Sequence, residues 1–320
     1  MKKIIIILLS LASLLILSSC TSESNTVYVT VYPLKFMSEE LFKDTDYTVG
    51  IVPGVSSHEH SAEWSPKQII AMQDADFLFY IGANYDQYIT KKINVFNDAN
   101  VKLINIENEN DYIEYIEGEY HHEHDHDHDE EITSKNEEPQ LGLDPHFWIS
   151  PLRMLNVLDL LYDKYIEAYP NDVETLTDNY MTLKSRLEEL HLDYQDVISQ
   201  MTKPVLTSTN LYGYLRQDYG LVFLSISKGY HEEPDNMVSE ETGIIIEEIK
   251  LHQINTIIFE KKRSSPASDH IFAEMVKLEI EPIKLEYDVL QLLSNEDISQ
   301  NKDYITEMRE NLIVFEKAGK

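Results

Sequence analysis

Basic residues are scarce in this chain. Lys and Arg together number 26 against 57 Asp and Glu, which gives a formal net charge of -31 over 320 residues. Phosphate binding needs basic patches, so this balance argues against nucleic acid as a partner. An acidic surface instead concentrates cations near itself. Cysteine is scarcer still, because Cys20 is the only one. A chain with one thiol has no disulfide framework and no thiolate metal cluster. Any bound metal must therefore be held by His, Asp and Glu. A His-Glu-x-x-His helix is also missing, so the familiar zinc-hydrolase signature is excluded. No short-period repeat is present. What remains is a chain long enough for two domains, with 42% hydrophobic residues from which to build cores.

The N-terminus carries one apolar run. Met1-Lys2-Lys3 is a positive start, and Ile4 to Leu17 is apolar apart from small residues. The run is short and bounded by small side chains, so it reads as a secretory signal rather than a membrane anchor. The ending Leu17-Ser18-Ser19-Cys20 resembles the lipobox of bacterial lipoproteins. That resemblance implies cleavage before Cys20 and lipid on its thiol.

Histidine is concentrated. Five of the 12 histidines, His121, His122, His124, His126 and His128, lie within one acidic stretch. Such a segment cannot form a core and is expected to be a loop, spanning residues 118–138. Imidazole mixed with carboxylate suits a borderline transition metal, zinc first. The rival reading is a solvated acidic run without a ligand. Shortly after it comes Leu143-Asp144-Pro145-His146-Phe147-Trp148-Ile149-Ser150-Pro151. Pro145 restricts the backbone before His146, Pro151 can start a helix, and Asp144 can hold one ring nitrogen.

Elsewhere strand-like and helix-like segments alternate, which predicts α/β architecture with parallel sheets. In the first half the strands are Thr26–Tyr32, Tyr47–Val52, Asp76–Ile81 and Val101–Ile106. The helices are Leu34–Phe42, Pro66–Gln73 and about Tyr85–Phe96. A helix from Pro151 to about Tyr169 follows. Val173, Leu176, Tyr180, Leu183, Leu187, Leu190, Tyr194, Val197 and Met201 then step by three and four. They predict one helix from Asp172 to about Met201; a core helix or coiled coil is the plain reading, and its place between two alternating blocks suggests instead a rigid spine joining two lobes. The second half repeats the alternation up to a last helix, Lys302–Phe315. The expected organisation is a signal at 1–19 and a lipid-anchored tether at 20–25. A first lobe follows at 26–169 with its His-rich loop, then a linking helix at 170–202 and a second lobe at 203–320.

Asp-Pro-His-x-Trp-x-Ser-Pro closely resembles the second metal-ligand motif of the zinc- and manganese-binding lipoproteins that feed ABC importers, in particular the zinc-uptake type with a His-rich loop. Tyr32-Pro33-Leu34, Pro53-Gly54, Asp74-Ala75-Asp76 and the stretch Asp303 to Leu312 fit the same family. The resemblance implies two lobes, each a mainly parallel sheet flanked by helices. It also implies one long joining helix and a metal site in the interlobe cleft. The first family histidine maps to His58 by its distance from Pro53-Gly54, or to His60 by its distance from Glu63 and Pro66. His146 is the second ligand. The third position departs from the family, because Thr209 stands where a histidine or glutamate belongs, and a hydroxyl is a poor zinc ligand. His231 is the candidate replacement. The fourth ligand maps to Asp288, with Glu286 as fallback. His191, His252 and His270 sit on helices and read as packed or solvated residues.

These features imply a lipid-anchored receptor at the extracytoplasmic face of the membrane. It would capture zinc and deliver it to an ABC permease and its ATPase, as a monomer and without enzymatic activity. The alternatives are a manganese receptor on the same scaffold and a surface metal buffer or adhesin. The loop would act as an accessory collector.

Overall fold

The computed structural model describes residues 25–55, 62–83, 85–109, 143–227 and 239–320. Cys20 and the signal, His58, His60, the His-rich loop 118–138 and His231 lie outside the described residues. Among the described residues no helix is long and apolar enough to cross a membrane.

The first half contains strands β1 (Thr26–Val29), β2 (Thr48–Ile51), β3 (Phe77–Tyr80) and β4 (Lys102–Asn105). They form one parallel sheet in the order β2-β1-β3-β4. All four residues of β3 are buried, as expected for a parallel strand covered on both faces. Helices α1 (Tyr32–Leu41), α2 (Pro66–Gln73) and α3 (Gln87–Thr90) belong to the same half. Helix α1 starts two residues earlier than the sequence reading, because Pro33 occupies its first turn, where a missing N–H costs nothing.

The expected helix from Tyr85 to Phe96 is a correction. It is broken into α3 and a separate 3₁₀ turn at Ile93–Phe96. The side chain of Asp86 turns back to accept the backbone N–H groups of Ile81 and Gly82. Asp86 therefore caps the end of β3 instead of opening a long helix. At Lys92 the backbone leaves helical geometry, with φ -114°.

Helices α4 (Pro151–Ala168) and α5 (Val173–Ser199) follow. Helix α5 has 27 residues, about 40 Å at 1.5 Å per residue. Its buried stripe is Leu176, Leu183, Leu187, Leu190, Tyr194 and Ile198. The second half has β5 (Val205–Thr207), α6 (Gly213–Tyr219), β6 (Phe223–Ser225), α7 (Ser239–Leu251), β7 (Thr256–Glu260), α8 (Pro266–Lys277) and β8 (Ile283–Tyr287). It ends with α9 (Asn295–Ser299) and α10 (Tyr304–Ala318). Helix α9 was not anticipated; a capping box between Ser294 and Asp297 starts it. The second sheet is parallel in the order β6-β5-β7-β8, the same topology as the first.

In both sheets the strand order reverses between the first and third strands, β1/β3 and β5/β7. Open α/β sheets hold ligands outside the carboxyl ends of strands at such a switch point. Helix α5 touches both halves: Arg186 binds Glu40 at 2.6 Å and Asp303 at 2.8 Å. One apolar core runs through both halves and includes Val29, Phe79, Trp148, Leu187, Leu215 and Tyr287.

Candidate metal centre

His146 lies on the turn that re-enters the described chain at Leu143. The Asp144 carboxylate accepts twice from it, from the His146 backbone N–H at 2.9 Å and from Nδ1 at 2.8 Å. Both residues are buried, with His146 4% and Asp144 2% exposed. With Nδ1–H donating to Asp144, the ring's lone pair resides on Nε2, the tautomer that suits a metal ligand. A 3₁₀ turn at Phe147–Ile149 then leads into Pro151 at the start of α4.

The second half holds this turn in place. Tyr214 Oη donates to Asp144 O at 2.8 Å, and Tyr304 Oη donates to Trp148 O at 2.6 Å. Trp148 Nε1 donates to Val289 O at 2.8 Å. The Arg153 guanidinium forks onto Asp218, with Nε at 2.9 Å and Nη2 at 2.7 Å, and Ser150 Oγ adds a bond at 2.6 Å. The His146 turn of the first half is thus positioned by α6, α10 and the segment after β8.

Around His146 the carboxyl end of β3 supplies a wall. Tyr85 is buried and meets the His146 ring edge-on at 6.1 Å between centroids and the Trp148 ring at 5.6 Å. Asp86, beside it, is also buried. Burial pushes its carboxyl up to about 7, against the hydrogen bonds from Ile81, Gly82 and Tyr88 that favour the charged form.

At the carboxyl end of β5, Thr209 is buried, and its hydroxyl has no hydrogen-bond partner among the described residues. Its neighbour Ser208 accepts from the Glu260 backbone N–H at 3.2 Å. After β8, the Asp288 Oδ1 accepts from Leu290 N–H at 2.9 Å, while Oδ2 lies 3.1 Å from Lys261 Nζ. Burial works against the Lys261 ammonium, yet Asp288, Glu307 and Asp297 together raise its pKa above the ordinary lysine value. Glu286 points elsewhere: it is exposed and lies 3.5 Å from Lys284.

Among the described residues no three His, Cys, Asp or Glu side chains come together as a metal cluster. Of the sequence-derived ligands, only His146 and Asp288 are described. In sequence, the segments that carry the others come after β2, β4 and β6. Tyr85, which meets the His146 ring, was not singled out as a site residue in the sequence.

A family model described as the periplasmic component A of a zinc-uptake complex matches residues 27–318. The chain is 27% identical over 330 residues to the zinc-binding lipoprotein AdcA of Streptococcus pneumoniae, covering 98% of this chain and 60% of that protein. It therefore spans about three-fifths of the length of the streptococcal relatives it matches. It is 24% identical over 289 residues to the high-affinity zinc uptake system protein ZnuA of Bacillus subtilis, covering 89% of this chain and 85% of that one. The crystal structure of the Zn(II)-bound ZnuA-like domain of pneumococcal AdcA shares the fold, with a TM-score of 0.70, 23% identity, and coverage of 92% and 99% of the two chains.

Proposed function

From the premise that this chain belongs to the family of periplasmic zinc-uptake A components, we propose that it captures zinc outside the cytoplasm and hands it to an ABC permease with its ATPase. The observation that carries the reading is the buried His146 ring, oriented by Asp144 at 2.8 Å beside the switch points of two parallel sheets. Zinc favours imidazole, and a neighbouring carboxylate fixes the tautomer and raises ligand basicity. His58 or His60 would join from the first lobe, 26–169. His231 and Asp288 would join from the second lobe, 203–320, with residues 170–202 linking the two. Asp288 enters such a site by exchanging Lys261 for the ion. A transport site encloses its cargo, whereas catalysis needs a position open to water, and no catalytic role is assigned. The segment 118–138 would collect ions, and lipid on Cys20 would keep the monomeric receptor at the membrane.

Manganese is the second reading, supported by Thr209, whose buried hydroxyl offers oxygen where the family offers imidazole. A competitive zinc and manganese titration of the chain and of His146→Ala tests both. Zinc should win in the parent chain, and His146→Ala should lower its affinity by about 100-fold or more, since even outer partners of a ligand are worth 10–100-fold. Unchanged affinity in His146→Ala would remove the cleft assignment; preference for manganese would put the second reading first.

A further inference from the structure

Asp288 sits on a fixed frame beside the His146 turn. Its neighbour Val289 accepts through its carbonyl from Trp148 Nε1 at 2.8 Å. Asn311 of α10 clamps the Asp288 backbone from both sides, accepting from its N–H at 2.9 Å and donating to its carbonyl at 2.7 Å. The carboxylate is engaged as well. Oδ1 accepts from Leu290 N–H at 2.9 Å, and Oδ2 lies 3.1 Å from Lys261 Nζ. The oxygen that the backbone leaves to a cation is held by an ammonium.

Lys261 follows β7, and its N–H donates to Tyr287 O at the end of β8 at 2.8 Å. Its ammonium stands among three carboxylates: Asp288 at 3.1 Å, Asp297 of α9 at 3.4 Å and Glu307 of α10 at 3.4 Å. The latter two have lysines of their own. Lys262 lies 3.0 Å from Asp297, and Lys302 lies 2.7 Å from Glu307. Among the described residues Lys261 is the one lysine on Asp288. Lys262 takes φ 64°, in the left-handed region, a conformation that costs energy outside glycine. That turn sends two adjacent lysines into one acidic cluster. Lys261 thus has two further carboxylates to stay with when it gives up Asp288.

We propose that Lys261 is a positioning residue that acts on zinc through Asp288, a tethered cation that competes with the ion for Oδ2 and so lowers the affinity of the site. This rests on the reading of Asp288 as a zinc ligand. The ammonium and the ion need the same oxygen, and two cations at bonding distance from it repel each other. Zinc therefore binds the fraction of molecules in which Asp288 is released, and its apparent affinity falls by that fraction. Asp297 and Glu307 raise the fraction by holding the displaced ammonium. When zinc leaves, Lys261 returns, and Asp288 is not left as a half-buried charge without a partner. A receptor that passes its cargo on thereby carries its own agent of release.

The test is the zinc affinity of the full chain, read for the first equivalent against a chromophoric chelator. The metal-free melting temperature of each variant is measured beside it. Lys261→Met and Lys261→Gln remove the competitor. Each should tighten zinc binding about tenfold, the worth of one charge-assisted hydrogen bond, while lowering the metal-free melting temperature. Damage to the fold would weaken binding, so tightening is a sign that a structural role does not produce. Lys261→Arg keeps the charge and should bind zinc no more tightly than the parent. Lys262→Gln removes a charge from the same cluster without touching Asp288, and affinity should stay within about twofold. Asp288→Asn keeps an acceptor for Leu290 N–H and should weaken zinc binding about tenfold or more. In that background the Lys261 changes should have no further effect on zinc. Unchanged or weaker binding in the two neutral Lys261 variants, with weakened binding in Asp288→Asn, overturns the competition and leaves the ligand in place. Equal tightening in Lys262→Gln or in Lys261→Arg overturns it too. Unaltered zinc binding in Asp288→Asn overturns the ligand reading and the competition together.

Discussion

His146 differs from the other described histidines in what surrounds it. His191 meets the Tyr219 hydroxyl at 3.0 Å on the face of α5, His252 pairs with Glu248 at 3.2 Å one turn back, and His270 is exposed. Only His146 has a buried carboxylate on Nδ1 within a turn bounded by two prolines. That arrangement was legible in the sequence because its parts are contiguous. The packing of Tyr85 against His146 and Trp148 was not legible, since the three rings meet only in the folded chain. The same scale holds a pH prediction. Burial raises the Asp86 carboxyl from the ordinary carboxylate range to about 7, so the native state binds that proton more tightly than the unfolded chain. The stabilisation is complete below about pH 4 and is lost as pH rises through about 7. Asp86→Asn keeps an acceptor for the Ile81 and Gly82 amides and removes the titration. Urea midpoints measured from pH 4 to 8 should therefore fall less steeply in Asp86→Asn than in the parent. Parallel curves would show that Asp86 does not control this slope.

Among the elements, α4, α5 and α6 decide how the halves sit around the His146 turn. Helix α5 was read from its apolar spacing; Leu176, Leu183, Leu187, Leu190 and Tyr194 of that reading are buried, while Val173 is exposed and Ile198 takes the buried place expected of Val197. The sheets were read from runs of apolar β-branched and aromatic residues; their order was not, because strand order is a tertiary property. The failure at Tyr85–Phe96 has a local cause: periodicity has no access to a carboxylate that folds back onto the preceding strand end. Contact between α4 and α6 is the least expected feature. Arg153 and Asp218 are nearly buried, with side chains 11% and 4% exposed, and they join the two halves beside the His146 turn. Asp218→Ala would strip the guanidinium of its forked partner in a dry setting, a change that costs about 3–5 kcal/mol. Chemical denaturation should show a loss of that order; a loss below about 1 kcal/mol would mean that solvent reaches Arg153 when the carboxylate is gone.

At the scale of the whole molecule, two sheets of the same topology are joined beyond their strand ends, where Tyr32 N–H donates to Gln291 O and Trp148 Nε1 to Val289 O, with α5 touching both halves. The chain's charge of -31 favours cations in general and selects none. Selection must come from imidazole and carboxylate geometry, either in the cleft near His146 or in the His-rich segment. These two sources make different demands on the fold, and deleting one leaves the other in place. Zinc titration of the chain lacking 118–138, with and without His146→Ala, separates them most directly. The account predicts one tight zinc after the deletion and none once His146 is also replaced. Loss of tight binding on deletion alone would contradict it and make the His-rich segment the receptor site.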